Sequence, residues 1–317
     1  MRVAAIDCGT NSIRLLIADV DADGGLHDLV RRMEIVRLGY GVDRTGVLDP
    51  ERMAATLAMT REYAQQCREY AVDRIRFTAT SASRDAANAA DFVAGVQEAF
   101  GDLRVTPEVI SGAEEANLSF RGATGDLVAA GIPGPYLVVD IGGGSSEFVL
   151  GTHTVSASLS TDIGCVRLTE RHLRSDPPSD AEIAAARADV ERAIDAAADV
   201  VPLARARTLV GLAGSITTVT AHALALPSYQ PDRIHLSTLD AAQVRAACHG
   251  LVAMTRAQRA ALPFMHPGRV DVIGAGALIW SVIVDRVMAT AGPIDIVTSE
   301  HDILDGIALS IASQDPA

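Results

Sequence analysis

The stretch Tyr136-Leu-Val-Val-Asp140-Ile-Gly-Gly-Gly144-Ser-Ser-Glu147-Phe-Val-Leu-Gly151 decides the fold. Four apolar or aromatic residues lead into Asp140. Gly142, Gly143, Gly144, Ser145 and Ser146 follow, then Glu147 and a second apolar run, Phe148 to Leu150. The pattern reads as strand, tight turn, strand. Bare glycine backbone lets N–H groups approach an anion closely, and Ser145 adds a hydroxyl donor. Asp140 and Glu147 flank the turn, where they could hold a hard divalent cation directly or through water. The same letters also suit an ordinary glycine-rich hairpin with two solvated carboxylates.

What separates these readings is that the stretch occurs twice. Val3 to Val20 reads Val-Ala-Ala-Ile-Asp7-Cys-Gly9-Thr-Asn-Ser12-Ile-Arg14-Leu-Leu-Ile-Ala-Asp-Val. Setting Asp7 on Asp140, an offset of 140 − 7 = 133, puts Gly9 on Gly142, Thr10 on Gly143, Asn11 on Gly144, Ser12 on Ser145 and Arg14 on Glu147. Two like hairpins a domain apart predict two like α/β domains facing each other, with a phosphate-gripping turn from each.

The chain's 317 residues, 49% of them apolar, are enough for two cores. A net charge of −13 and an aromatic content of 4% argue against a general nucleic-acid binder or an anionic-membrane binder. Cys8, Cys67, Cys165 and Cys248 show no CxxC spacing, which fits reduced thiols in a cytoplasm. Asp7, Asn11 and Arg14 interrupt the N-terminal apolar stretch, so no signal peptide is expected. The uncharged run Val272 to Val284 reads as a buried helix rather than a membrane span.

Further along, Asp49-Pro50 caps a long helix to about Tyr70, and Arg74 to Ala79 reads as a parallel strand. It ends in Thr80-Ser81-Ala82-Ser83-Arg84-Asp85, at the end where open α/β sheets bind ligands. Arg104 to Ile110 reads as a short strand leading into Ser111-Gly-Ala-Glu114-Glu115. Two acids in a first helical turn suit the macrodipole, and a carboxylate there could also accept a proton from attacking water. Asp126 to Pro135 reads as a Gly- and Pro-containing loop and a domain boundary, giving domains of 1–128 and 129–299. Thr208 to Leu212 is a strand ending near Gly214-Ser215. Gly211, Gly214 and Ser215 there suit phosphate or ribose at a helix N-terminus, or a ligand-free cap. Ser299-Glu300-His301-Asp302 opens a last helix reaching toward residue 317. His266 and His301 could touch substrate or be structural. With no close His or Cys spacing, a zinc site is not expected.

Seven segments together resemble the exopolyphosphatase/guanosine pentaphosphate phosphohydrolase (Ppx/GppA) family of the acetate and sugar kinase/Hsp70/actin superfamily. They are IDCGTNSIRLLI, ATSASRDAAN, ISGAEEANLSFRG, VVDIGGGSSEFVLG, GLAGSITTVTA, HPGRVDVI and SEHDILDGIAL, in order from Ile6 to Leu309. The resemblance implies two ribonuclease-H-like (actin-like ATPase) domains around a central cleft, with the last helix, about 300–317, packing back on the first domain. It implies Mg²⁺-dependent (or Mn²⁺-dependent) removal of the terminal phosphate from inorganic polyphosphate, or from guanosine pentaphosphate to give ppGpp, in a cytoplasmic homodimer. By the same resemblance Glu114 is the general base, and Asp140 and Glu147 hold the metal. Arg84, Ser81, the Gly9–Ser12 turn and the Gly142–Ser145 turn contact phosphate. Cys8 and Thr10 depart from the family's usual aliphatic residue and serine. With no further domain after residue 317, a preference for short polyphosphates is expected. Two rivals remain: a sugar or acid kinase binding ATP at Gly211 to Ser215, and a catalytically weak sensor of polyphosphate or ppGpp.

Overall fold

Residues 1–21 and 25–312 are described by the structure, a computed structural model. The chain divides into two units, Met1–Gly122 with Ile303–Ala317, and Ala123–Asp302.

The first unit is built on β1 (Arg2–Cys8), β2 (Ser12–Val20), β3 (Leu26–Ile35), β4 (Arg74–Ala79) and β5 (Glu108–Val109), in the order β3-β2-β1-β4-β5. The β1–β2 and β2–β3 pairs are antiparallel, while β4 and β5 run parallel to β1. Side chains alternate across β1, as a strand buried on both faces requires. Ala4, Ile6 and Cys8 pack with Tyr63, Phe77, Phe92 and Phe100. Val3 and Ala5 pack with Ile303, Leu304, Ile307 and Ile311 of the helix Ile303–Ala312. The helix Pro50–Glu69 starts where Asp49 accepts hydrogen bonds from the Glu51 and Arg52 N–H groups.

The second unit repeats the plan with β6 (Tyr136–Ile141), β7 (Ser146–Gly151), β8 (Val155–Thr161), β9 (Thr208–Leu212), β10 (Thr238–Leu239) and β11 (Asp295–Thr298). Its order is β10-β11-β9-β6-β7-β8, with β9 parallel to β6 and β11 parallel to β9. Read from β8 to β11 this is the 3-2-1-4-5 order of the first sheet, the ribonuclease-H-like plan, with β10 added antiparallel at one edge. The helix Ile273–Ala291 is long and apolar enough to cross a membrane, but Leu278, Ile279, Trp280 and Ile283 lie in the core against Leu137, Val139 and Leu209.

The structure corrects three readings of the sequence. Of Arg104 to Ile110 only Glu108–Val109 pairs as strand, because a 3₁₀ turn at Gly101–Leu103 and a left-handed Arg104 (φ 51°) use up the preceding residues. The loop expected from Asp126 starts only after Ala129, since the helix Gly112–Ala129 runs unbroken through this point. Ser299 to Asp302 precede the last helix instead of opening it. The Ser299 hydroxyl accepts from the His301 N–H at 3.0 Å and donates to the His301 carbonyl at 2.8 Å, folding the segment into a turn. Residues 313–317, read as the end of that helix, lie outside the described residues.

Candidate active site

In the second unit the β6–β7 turn is closed by the Gly142 N–H donating to the Ser145 carbonyl at 3.0 Å. The helix Cys165–His172 then docks on it end-on. Its Cys165 and Val166 N–H groups donate to the Gly142 and Gly143 carbonyls at 3.0 and 2.9 Å. Gly164 makes this possible, because a Cβ there would lie 2.3 Å from the Gly143 oxygen. The turn's bonds therefore fall on its carbonyls. Among the described residues the N–H groups of Gly143, Gly144 and Ser145 carry none, which leaves a small nest of donors for an anion.

Behind this turn Asp140 and Glu147 stand directly opposite each other on β6 and β7, and both are buried. Ser160, the register partner of Glu147 on β8, donates to Glu147 Oε1 at 2.8 Å. Like charges facing across a strand pair repel, and burial raises the cost. Two buried carboxylates and a hydroxyl form an all-oxygen set that fits a hard divalent cation.

In the first unit the β1–β2 turn has the same closure, Gly9 N–H to the Ser12 carbonyl at 2.9 Å. The Asn11 carbonyl accepts from Val36 and Arg37, and the Thr10 carbonyl from Gly39. Asp7 again lies opposite the second strand's residue, but here that residue is Arg14, whose guanidinium donates to Asp7 Oδ2 at 2.7 and 3.0 Å. Parallel register places Asp7 beside Thr78 and Cys8 beside Ala79, so the helix Ser81–Asp85 emerges next to the turn. Thr10 Oγ1, Asn11 Oδ1 and Ser83 Oγ are buried with no hydrogen-bond partner among the described residues. Orphaned polar atoms at strand ends suit a polar ligand such as phosphate. Ser81 is buried as well, its hydroxyl 3.5 Å from Asp85 Oδ2.

Arg84 reaches from that helix to the next strand–helix junction. Its Nη1 donates to the Ile110 carbonyl at 2.9 Å and to Glu115 Oε2 at 3.0 Å. The structure thus brings Arg84 to Glu115, not to Glu114. The Glu114 side chain is 44% exposed and bound at 2.5 Å by Arg76, which also holds Glu108 and the Ser310 hydroxyl. Glu115 is 10% exposed. Helical period held the signal. Glu114 shares its face with Asn117 and Arg121, both exposed, whereas Glu115 shares its face with Leu118, Ser119 and Gly122, all buried.

At the β9–helix junction the three residues read as a nucleotide subsite are closely packed. Gly211 makes room for Ile216 and Trp280, and Ser215 packs against Gly276. The Arg269 guanidinium lies flat on Gly214, where a Cβ would come within 2.3 Å of its central carbon. Arg269 also donates to the Thr218 hydroxyl at 3.2 Å and stacks over Tyr229. His266 caps a 3₁₀ turn by accepting from the Gly268 N–H. All four cysteines are free and buried. Burial raises each thiol, Cys67 to about 12, which disfavours the thiolate.

The sequence pattern of the Ppx/GppA phosphatase family matches residues 16–311. The chain belongs to that family. It is 52% identical over 316 residues to "Exopolyphosphatase 2" of Mycobacterium tuberculosis, covering 98% of each chain. A crystal structure of an exopolyphosphatase-like protein superposes with a TM-score of 0.93 at 44% identity, covering 98% of this chain and 97% of that one. The Aquifex aeolicus PPX-GPPA enzyme superposes with a TM-score of 0.79 at 30% identity, covering 98% and 99%. The two-sheet α/β reading and the reading as a phosphoanhydride hydrolase are both borne out at this level.

Proposed function

We propose that this chain is an exopolyphosphatase that hydrolyses the terminal phosphoanhydride of inorganic polyphosphate with Glu115 as general base. The carrying observation is the buried Glu115 carboxylate, held 3.0 Å from Arg84 at the strand-end edge that also bears the Gly9–Ser12 turn and Ser83. Glu115 accepts the proton of the attacking water, a role worth roughly 10²–10⁴-fold in rate. Arg84 already spends Nη1 on Glu115, so it positions the base and offers its other N–H groups to phosphate oxygens. Within the first unit the Thr10 and Ser83 hydroxyls supply further donors to phosphoryl oxygens. In the second unit Asp140 and Glu147 would hold Mg²⁺, which would supply countercharge to a polyanionic substrate.

Polyphosphate is preferred to guanosine pentaphosphate as substrate because the relative at 52% identity carries the exopolyphosphatase name. The kinase reading is disfavoured because Arg269 covers Gly214 at the proposed ATP subsite. The test is phosphate release from polyphosphate and from guanosine pentaphosphate, with Mg²⁺ and no added nucleotide. Release from polyphosphate that collapses in Glu115→Gln supports the proposal. Binding without turnover under Mg²⁺ and Mn²⁺ would overturn it.

A further inference from the structure

Three side chains distant in sequence meet within the second unit. Asp126 is in the last turn of the helix Gly112–Ala129, His235 follows the short helix Pro231–Ile234, and His301 follows β11. His301 Nδ1 is 2.5 Å from Asp126 Oδ2, and His235 Nε2 is 3.3 Å from the same oxygen. The two imidazole rings lie 4.7 Å apart, tilted by 42°. One ligand atom from each residue lies within 4.8 Å of the other two. All three side chains are half-buried, so an ion from solvent can reach them.

We propose that Asp126, His235 and His301 form a binding site for a borderline-soft divalent transition-metal ion, with Zn²⁺ as the test case. Tetrahedral zinc with bonds of about 2.0–2.1 Å sets its ligand atoms about 3.3 Å apart. The His235–Asp126 separation already has this value, and the His301–Asp126 separation needs to open by less than about 1 Å. Two imidazoles and one carboxylate favour zinc, cobalt or nickel over Mg²⁺, which takes oxygen ligands. Three protein ligands leave a fourth position for water.

The backbones carrying these ligands are fixed. Leu236 N–H donates to the Thr298 carbonyl at 2.8 Å and Thr298 N–H to the Ser237 carbonyl at 3.1 Å, which ties the His235 segment to β11. Ser299 brackets His301 on both its N–H and its carbonyl. Binding therefore needs side-chain rotation only. It also has a definite proton cost. His235 Nδ1 accepts from the Glu300 N–H at 3.3 Å, so in the neutral ring Nε2 carries the proton. Metal at Nε2 moves that proton to Nδ1 and exchanges this long contact for a coordinate bond. The chain enters the unit at Ala123 and leaves it at Asp302, so the ion would tie the entering segment to the leaving one. The proposal stands independently of the reading of the catalytic site.

The experiment is equilibrium dialysis of the full chain against Zn²⁺ in a large excess of Mg²⁺, which occupies all-oxygen sites, with Co²⁺ absorption as a second readout. The expected result is one tightly bound Zn²⁺ per chain and a tetrahedral Co²⁺ spectrum. Both should persist in Glu147→Gln. Affinity should fall at least about tenfold in His235→Gln, in His301→Gln and in Asp126→Asn. Melting temperatures matching the parent in EDTA establish that the variants fold. No stoichiometric Zn²⁺ under excess Mg²⁺ would overturn the proposal, as would undiminished Zn²⁺ binding in both histidine variants, and either would leave the three side chains as a hydrogen-bonded cluster only.

Discussion

The hairpin β1–β2 and the hairpin β6–β7 share a turn and differ in the pair behind it. Both turns close with the N–H of the first glycine donating to a serine carbonyl three residues on. Both place an aspartate directly opposite the residue seven positions later. In the first unit that residue is Arg14, and Asp7 is neutralised internally. In the second it is Glu147, and Asp140 faces a second carboxylate. One duplicated element thus carries an ion pair in one unit and a facing pair of carboxylates in the other. We propose that this single exchanged residue is what suits the second copy to a cation.

The strongest way to break this comparison is to remove the chemistry assigned to the first unit. Glu115→Gln keeps shape and hydrogen bonding but cannot take a proton. Its kcat on polyphosphate should fall by about 10²–10⁴-fold with KM little changed. A loss of less than tenfold would remove Glu115 from the role of base.

Next in size is a contrast in stability. Arg14→Gln removes the guanidinium bound to the buried Asp7 carboxylate and should cost about 3–5 kcal/mol in urea unfolding. Glu147→Gln, measured in EDTA, should cost nothing or stabilise, because it relieves a like-charge pair. Equal losses in both would mean that the two pairs are electrostatically alike.

Gly164→Ala sharpens the comparison at the turns themselves. Only the second turn is braced by a helix end, and the added methyl would press on the Gly143–Gly144 peptide. A loss of about 1–3 kcal/mol with a matching fall in activity is expected. Parent-like stability and rate would show that the Gly142–Ser145 turn tolerates displacement.

The smallest effect belongs to Glu114→Gln. Its partner Arg76 keeps Glu108, and half-exposed ion pairs contribute about 0–1 kcal/mol. Less than about a threefold change in kcat is expected, and a collapse like that of Glu115→Gln would return the base to Glu114.

These contrasts also mark how far the sequence could be read. The duplicated hairpin was legible because strand period, glycine turn and flanking aspartate repeat at one fixed offset. Glu114 and Glu115 were separable in principle, since one lies on the face of Asn117 and Arg121 and the other on the face of Leu118 and Gly122. A first-turn acid pair invites a macrodipole explanation for both, and that masked the periodicity. Gly164 carried no signal, because its role is a close approach between segments about twenty residues apart, which no local pattern encodes. The same holds for Arg269 on Gly214 and for the meeting of Asp126, His235 and His301. These are contacts made by tertiary structure between positions whose local sequence looks ordinary.

The most direct test of the account is the Mg²⁺ dependence of phosphate release from polyphosphate. It should be measured for the parent, Asp140→Asn, Glu147→Gln and Arg14→Gln, with each variant's folded fraction verified. The account predicts that both variants of the second hairpin raise the Mg²⁺ concentration for half-maximal rate at least about tenfold, while Arg14→Gln leaves it unchanged. An unchanged requirement in Asp140→Asn and Glu147→Gln, or an equal shift in Arg14→Gln, would contradict the assignment of the cation to the Asp140–Glu147 pair.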